Sequence, residues 1–201
     1  MRFLSKLMDS DRVEKKTTIG LVLFPDFNMQ DIVGPYEIFG RTSKFVIYTI
    51  SENTQCLRTS GGLSVNADFS FDECPLLDIL FVPGGKGING AIERGAYNGF
   101  LQEQSKHAKF VVAVSLGAVL LASSGALKGY KVTTAIPSLP SLVEMGLVTV
   151  EDPIAIDGNR ITGGEKISGA DVSLALMTLI EVEERIRVDN YRKRLVERAG
   201  W

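Results

Sequence analysis

The chain alternates between short, uninterrupted apolar runs and longer stretches in which apolar residues recur every three or four positions. The first run, TIGLVLF at residues 18–24, has no polar position to mark a solvent face, the pattern of a strand covered on both sides as in a parallel sheet. Pro25 ends it, and residues 31–41 then place Ile32, Val33, Tyr36, Ile38 and Phe39 at helical spacing. Residues 44–51 (KFVIYTIS) return as a strand, and residues 56–71 read as a β-excursion pivoting on Gly61 and Gly62. The run DILFV at 78–82 predicts a strand closed by Pro83-Gly84-Gly85. A helix over 91–107, a strand over 109–114 (KFVVAV) and a compact helix over 116–123 follow. Beyond them the pattern predicts a strand at 131–134, a helix at 137–145, a hairpin over 147–161 turning at Asp157-Gly158-Asn159, and a long amphipathic helix from 168 to about 188.

Strands and helices joined by short connections predict an α/β class fold, a doubly wound, mostly parallel sheet sandwiched by helices in the flavodoxin-like manner. In such sheets the ligand site lies outside the carboxyl ends of the strands. No repeat, linker or low-complexity tract divides the chain, so residues 17–201 read as one domain. Residues 1–16 read as an N-terminal extension, with Phe3, Leu4, Leu7 and Met8 at helical spacing.

Composition narrows the function classes. At 201 residues, 45% hydrophobic and 23% charged, the chain matches one large globular domain. A net charge of -2, with Lys and Arg scattered among Asp and Glu, offers no basic stripe for phosphates, so no direct nucleic-acid partner is expected. The longest apolar run, 110–122, is interrupted by Ser115 and Gly117 and falls short of the roughly 20 residues a bilayer requires. The first residues lack a signal-peptide apolar core and a small-residue cleavage site, so the expectation is a cytoplasmic protein without a membrane partner. Cys56 and Cys74 have neither zinc-site nor redox-pair spacing and read as ordinary thiols in a reducing compartment. No metal and no organic cofactor are implied.

In a parallel sheet three strand ends would lie along one edge: Asp31 after the first strand, Pro83-Gly84-Gly85 after DILFV, and Ser115 after KFVVAV. Ser115 sits in Ala-Val-Ser-Leu-Gly, small residues two before and two after, similar to a nucleophile elbow. Serine is equally a good helix N-cap, and so is aspartate at position 31. Gly84 and Gly85 let the backbone approach a ligand and present N–H groups to developing negative charge, or simply make a tight turn. A serine needs an adjacent base to become a nucleophile. His107, the chain's one histidine, precedes the strand whose far end carries Ser115, roughly 20 to 25 Å away at about 3.3 Å per residue. A serine–histidine hydrolase is therefore disfavoured.

Several segments in order resemble the ThiJ/PfpI family over about residues 17–180, particularly its isocyanide hydratase-like branch and the sensor domains of some AraC-type regulators. They are Leu23-Phe24-Pro25 with Asp31 and Gly34-Pro35-Tyr36-Glu37-Ile38-Phe39; Cys74-Pro75 leading to Pro83-Gly84-Gly85-Lys86-Gly87; Ser115-Leu116-Gly117-Ala118 with Thr133-Thr134; and Asp157-Gly158-Asn159 running to Ser168-Gly169-Ala170-Asp171. The resemblance implies a catalytic acid at Asp31 and a nucleophile at the elbow, where the branch carries cysteine and this chain carries Ser115. Leu116 stands where a threonine is usual, Ala135 where a histidine is usual, and Glu165 and Lys166 where small or apolar residues are usual. A thiol with pKa near 8.5 is partly ionised at neutral pH and an alcohol is not, so family-type covalent chemistry should be severely slowed. What the resemblance implies is a pocket of Asp31, Gly84, Gly85, Ser115, Leu116 and Ala135 for a small-molecule ligand, in a homodimer. Two roles stay open: hydration or hydrolysis of a carbon–nitrogen bond, or non-catalytic ligand sensing.

Overall fold

The computed structural model describes residues 16–199, and the apolar runs of the sequence are its central strands. In chain order the elements are β1 (Thr17–Val22), α1 (Gln30–Gly40), β2 (Phe45–Ser51), β3 (Leu57–Arg58), β4 (Ser64–Val65), β5 (Phe69–Ser70), β6 (Ile79–Val82), α2 (Ile88–Glu93), α3 (Ala96–His107) and β7 (Phe110–Val114). They continue as α4 (Gly117–Ser123), β8 (Lys131–Val132), a 3-10 turn (Ile136–Ser138), α5 (Leu139–Glu144), β9 (Val148–Thr149), β10 (Ile154–Asp157), β11 (Arg160–Gly163) and α6 (Gly169–Ala199). Seven strands form one sheet in the order β10-β11-β7-β6-β1-β2-β5. Every pairing in it is parallel except the hairpin of β10 with β11. The fold is the expected α/β class.

Helices cover both faces, which is why β6 and β7 are buried along their whole length and show no polar alternation. Phe24, Phe27 and Tyr97 pack edge to face beneath the carboxyl end of β1. Helices α1 and α6 meet through small residues: a methyl on Gly34 would lie 2.9 Å from Cβ of Ala170, and one on Gly169 would lie 2.5 Å from the backbone oxygen of Asp31. At the amino end of β11, the buried Arg160 gives Nε to Ala126 O (2.9 Å), Nη2 to Ser105 O (3.2 Å) and Nη1 to Asn159 Oδ1 (2.8 Å), tying the last turn of α3 to the loop after α4 and the β10–β11 turn.

Several expectations change. The helix expected over 91–107 is two helices, α2 and α3, separated at Gly95, whose φ of 71° breaks the helical path although apolar spacing continues through it. The hairpin expected over 147–161 is confined to β10 and β11, while β9 pairs in parallel with β8 in a separate two-stranded sheet. The strand expected at 131–134 stops at Val132. The last helix runs on to Ala199, because its charged second half is solvated helix rather than a break. The excursion at 56–71 forms as the antiparallel pair β3–β4 followed by β5 at the sheet edge. The extension expected at 1–16 lies outside the described residues except for Lys16.

Candidate functional site

Strand order decides which loops meet. Because β6 lies between β7 and β1, the segment after β6 lies between the segments after its two neighbours. Pro83-Gly84-Gly85 thus runs between the elbow at Ser115 and the loop that enters α1.

Ser115 leaves β7 with φ of 50°, the left-handed region that costs an L-residue roughly 1–2 kcal/mol. Its neighbours hold it there: its N–H donates to Gly163 O at the end of β11 (2.8 Å), and its own oxygen accepts the Thr134 hydroxyl (2.6 Å) and the Ala118 N–H (3.1 Å). The cap reading of Ser115 does not hold, because Leu116 occupies the N-cap of α4 and no side chain caps that helix. The strand–turn–helix shape instead leaves the half-buried Ser115 side chain above the sheet edge.

Asp31 is not a cap either. Met29 holds that position, and Asp31 lies inside the first turn of α1, 3% exposed. Oδ2 accepts the Gly84 N–H (3.1 Å) and the Asn28 side-chain amide (3.2 Å), and Oδ1 accepts the Gly169 N–H (3.2 Å). Burial nevertheless raises its pKa above the ordinary 3.8, against the lowering effect of those three hydrogen bonds. A methyl on Gly84 would lie 3.1 Å from Asp31 Oδ2 and 3.3 Å from Ser115 Cβ. Acid and elbow therefore lie against the same residue, close enough that only glycine fits at position 84 without displacing them.

Gly85, at φ of 150°, bridges to Phe27, and a methyl there would lie 2.5 Å from Asp26 O. Neither its N–H nor that of Leu116 meets an acceptor among the described residues, so both are free to donate. Ala135 follows the clamping Thr134 at the entry to the 3-10 turn and is half-buried. Glu165 and Lys166 are exposed in the turn after β11. His107 lies at the amino end of β7, exposed and bonded to Glu103 (3.2 Å), away from the elbow. Cys74 is half-buried, and burial pushes its thiol up to about 11, which makes it a poor nucleophile.

Among the described residues no three His, Cys, Asp or Glu side chains cluster to hold a metal, and no helix is long and apolar enough to cross a membrane. A cleft of about 740 Å³ opens at the amino ends of β1, β6 and β7 against α6, and none of the expected site residues lines it. Sequence reasoning missed Asn28 and Gly169 as donors to Asp31. The Asn-x-x-Asp spacing was the available signal for the first; the second required knowing that α6 docks on α1.

The sequence pattern of the DJ-1/PfpI family matches residues 17–179, which takes in every part of this arrangement. The chain belongs to the DJ-1/PfpI family. This DJ-1/PfpI chain is 31% identical over 158 residues to the isonitrile hydratase of Pseudomonas putida, covering 79% of this chain and 69% of that protein. It is 28% identical over 168 residues to the HTH-type transcriptional regulator GbdR of Pseudomonas aeruginosa, where it spans 46% of the regulator's length. A crystal structure of a ThiJ/PfpI family protein from Pseudomonas syringae superposes with a TM-score of 0.77 at 29% identity, over 84% of this chain and 71% of that one. Schizosaccharomyces pombe DJ-1 shares the DJ-1/PfpI fold at a TM-score of 0.70 and 20% identity, over 82% and 92% of the two chains.

Proposed function

We propose that the sheet edge at which Asp31 and Ser115 converge binds a small uncharged molecule with a carbon–nitrogen multiple bond or amide and hydrates or hydrolyses it slowly, with Asp31 as general base. The carrying observation is that a methyl on Gly84 would lie 3.1 Å from Asp31 Oδ2 and 3.3 Å from Ser115 Cβ, which brings the acid and the elbow to one place on the sheet edge. In hydration of an isocyanide, R–N≡C plus water gives R–NH–CHO: the water oxygen bonds to the terminal carbon, one proton ends on that carbon and the other on nitrogen. Asp31 takes a proton from the attacking water as its oxygen closes on carbon and returns it to the product. Ser115 Oγ orients that water or makes the attack itself, and the N–H groups of Gly85 and Leu116 receive the developing negative charge. Similarity to an isonitrile hydratase supports this substrate class.

A second reading is a non-catalytic ligand sensor, favoured by the similarity to part of the regulator GbdR. Wild type, Ser115→Cys and Asp31→Ala are compared on a panel of isocyanides and amides, with product read by mass spectrometry and binding by calorimetry. Turnover by wild type that vanishes in Asp31→Ala supports the hydratase reading. Binding without turnover in wild type and in Ser115→Cys overturns it in favour of the sensor, and neither binding nor turnover overturns both. By the same family resemblance the chain acts as a cytoplasmic homodimer; a monomer in sedimentation would remove the dimer from this proposal.

A further inference from the structure

We propose that Asn28 is a positioning residue for Asp31: its exposed side-chain amide holds Oδ2 against Gly84, on the side that faces Ser115, and so governs when that oxygen takes a proton.

The geometry is a closed ring. The Asn28 N–H donates to Gly84 O (2.8 Å), the Gly84 N–H donates to Asp31 Oδ2 (3.1 Å), and Asn28 Nδ2 donates to the same Oδ2 (3.2 Å). Asn28 O accepts the Asp31 N–H (3.1 Å), and Asn28 Oδ1 accepts the Gln30 N–H (3.3 Å), so both ends of the amide are assigned by their partners. A carboxylate oxygen offers about two lone-pair sites. On Oδ2 both are taken by N–H donors, whereas Oδ1 accepts one, from Gly169.

Oδ2 is also the Asp31 oxygen that a methyl on Gly84 would meet, together with Ser115 Cβ. Two of the three donors are backbone groups fixed by the fold. Asn28 is exposed and is the one side chain among them, so it alone can rotate away to free a lone pair for a proton or a ligand. Among the described residues no charged side chain acts on this carboxyl. The groups acting on the carboxyl are Asn28, Gly84 and Gly169. From the packed elements, Asp171 in the first turn of α6 is bonded to Ser168, Lys86 after β6 is exposed, and the elbow contributes the neutral Ser115.

The test is carboxyl carbon NMR on protein labelled at aspartate Cγ, with the Asp31 signal assigned by its loss in Asp31→Asn. In Asn28→Ala the Asp31 midpoint moves up in pH, its ionisation constant falling about tenfold, the low end for a hydrogen bond to an ionised group. In Asn28→Asp it moves further up, because a carboxylate replaces the donor at nearly the same volume. Gln30→Ala, which keeps the backbone N–H that Asn28 accepts, leaves the midpoint in place. An unchanged midpoint in Asn28→Ala with native circular dichroism overturns the proposal. Should Asn28→Ala not fold, an unchanged or lowered midpoint in Asn28→Asp does so. The titration needs no ligand, so it fails or succeeds independently of the proposed hydratase chemistry.

Discussion

Replacing Gly84 by alanine tests the convergence on which the site depends. The added methyl would lie 3.1 Å from Asp31 Oδ2, 3.2 Å from Val114 O and 3.3 Å from Ser115 Cβ. Non-bonded carbon contacts are comfortable at about 3.5–4.0 Å, so these neighbours must give by a few tenths of an ångström. Val114 belongs to a strand paired on both sides, and Ser115 is pinned through Gly163 and Thr134. The movable neighbour is the Asp31 carboxylate, which can swing only by lengthening its bond from the Gly84 N–H. Overpacking costs about 1–3 kcal/mol, and a hydrogen bond to an ionised group is worth about 1.5–3 kcal/mol. The two are alternatives, since relaxing the first incurs the second, so the expected loss is about 2 kcal/mol. At about 2–4 °C per kcal/mol for a chain of this size, melting falls by roughly 4–8 °C. Gly90→Ala, in α2 with nothing within 4 Å of the new methyl, is the matched comparison and should gain about 0.4–1 kcal/mol. Urea unfolding and the Asp31 titration read both. A Gly84→Ala protein within about 0.5 kcal/mol of wild type, with Asp31 titrating unchanged, would mean that the acid and the elbow do not press on position 84.

Arg160→Met removes a guanidinium that gives hydrogen bonds to Ala126 O and Ser105 O and lies over the Tyr130 ring at 4.8 Å; urea unfolding should show a loss of about 2–4 kcal/mol. Ser115→Gly should be more stable than Ser115→Ala by about 1 kcal/mol, since relief of the left-handed backbone, roughly 1–2 kcal/mol, outweighs the chain-entropy cost of glycine, about 0.4–1 kcal/mol. For Asp31 the folded pKa is raised, so its contribution to stability is fully present below the unfolded value near 3.8 and is lost as pH climbs through the folded value. The stability of wild type relative to Asp31→Asn should accordingly be greatest in acid and decline as pH rises, as read from urea midpoints across pH 4 to 8; a difference that grows with pH would contradict it.

What could be read from the sequence follows from what each signal depends on. The strands of the sheet centre were legible because burial on both faces removes polar residues from them, as in FVVAV of β7. The pairing of β9 was not, since no periodicity exists over two residues and Val148, apolar but 60% exposed, misled the hairpin reading; β8 was expected, but two residues too long. That Gly84 and Ser115 follow strand ends was legible because such ends are marked by Pro, Gly and Ser whatever the tertiary contacts, whereas Asp31, inside α1, carries no such mark. Their conformations were not. A serine after a strand looks like a cap, and only Gly163 and Thr134, 48 and 19 residues further along the chain, hold it at positive φ instead. Asn28 escaped notice for a related reason: its importance lies in one bond to a carboxylate that must first be buried to matter.

The serine at this elbow has no histidine beside it among the described residues. A triad needs a base within hydrogen-bond reach of the hydroxyl, and His107 is at the other end of β7, so the proposed base is Asp31. Transfer of a proton from water, with pKa 15.7, to an ordinary carboxylate is uphill by about 12 pKa units, or about 16 kcal/mol, so it must accompany bond formation to carbon. An alcohol is little easier. A thiol at about 8.5 faces only about 5 units, or about 6 kcal/mol. If even a third of that difference reached the transition state, about 3 kcal/mol, Ser115→Cys would turn over a hydratable ligand more than a hundredfold faster than wild type. Equal rates in the two proteins, with saturating ligand and an intact Asp31, would mean that proton removal from the nucleophile does not limit this pocket, and the serine would then have to be explained by ligand fit rather than by lost reactivity.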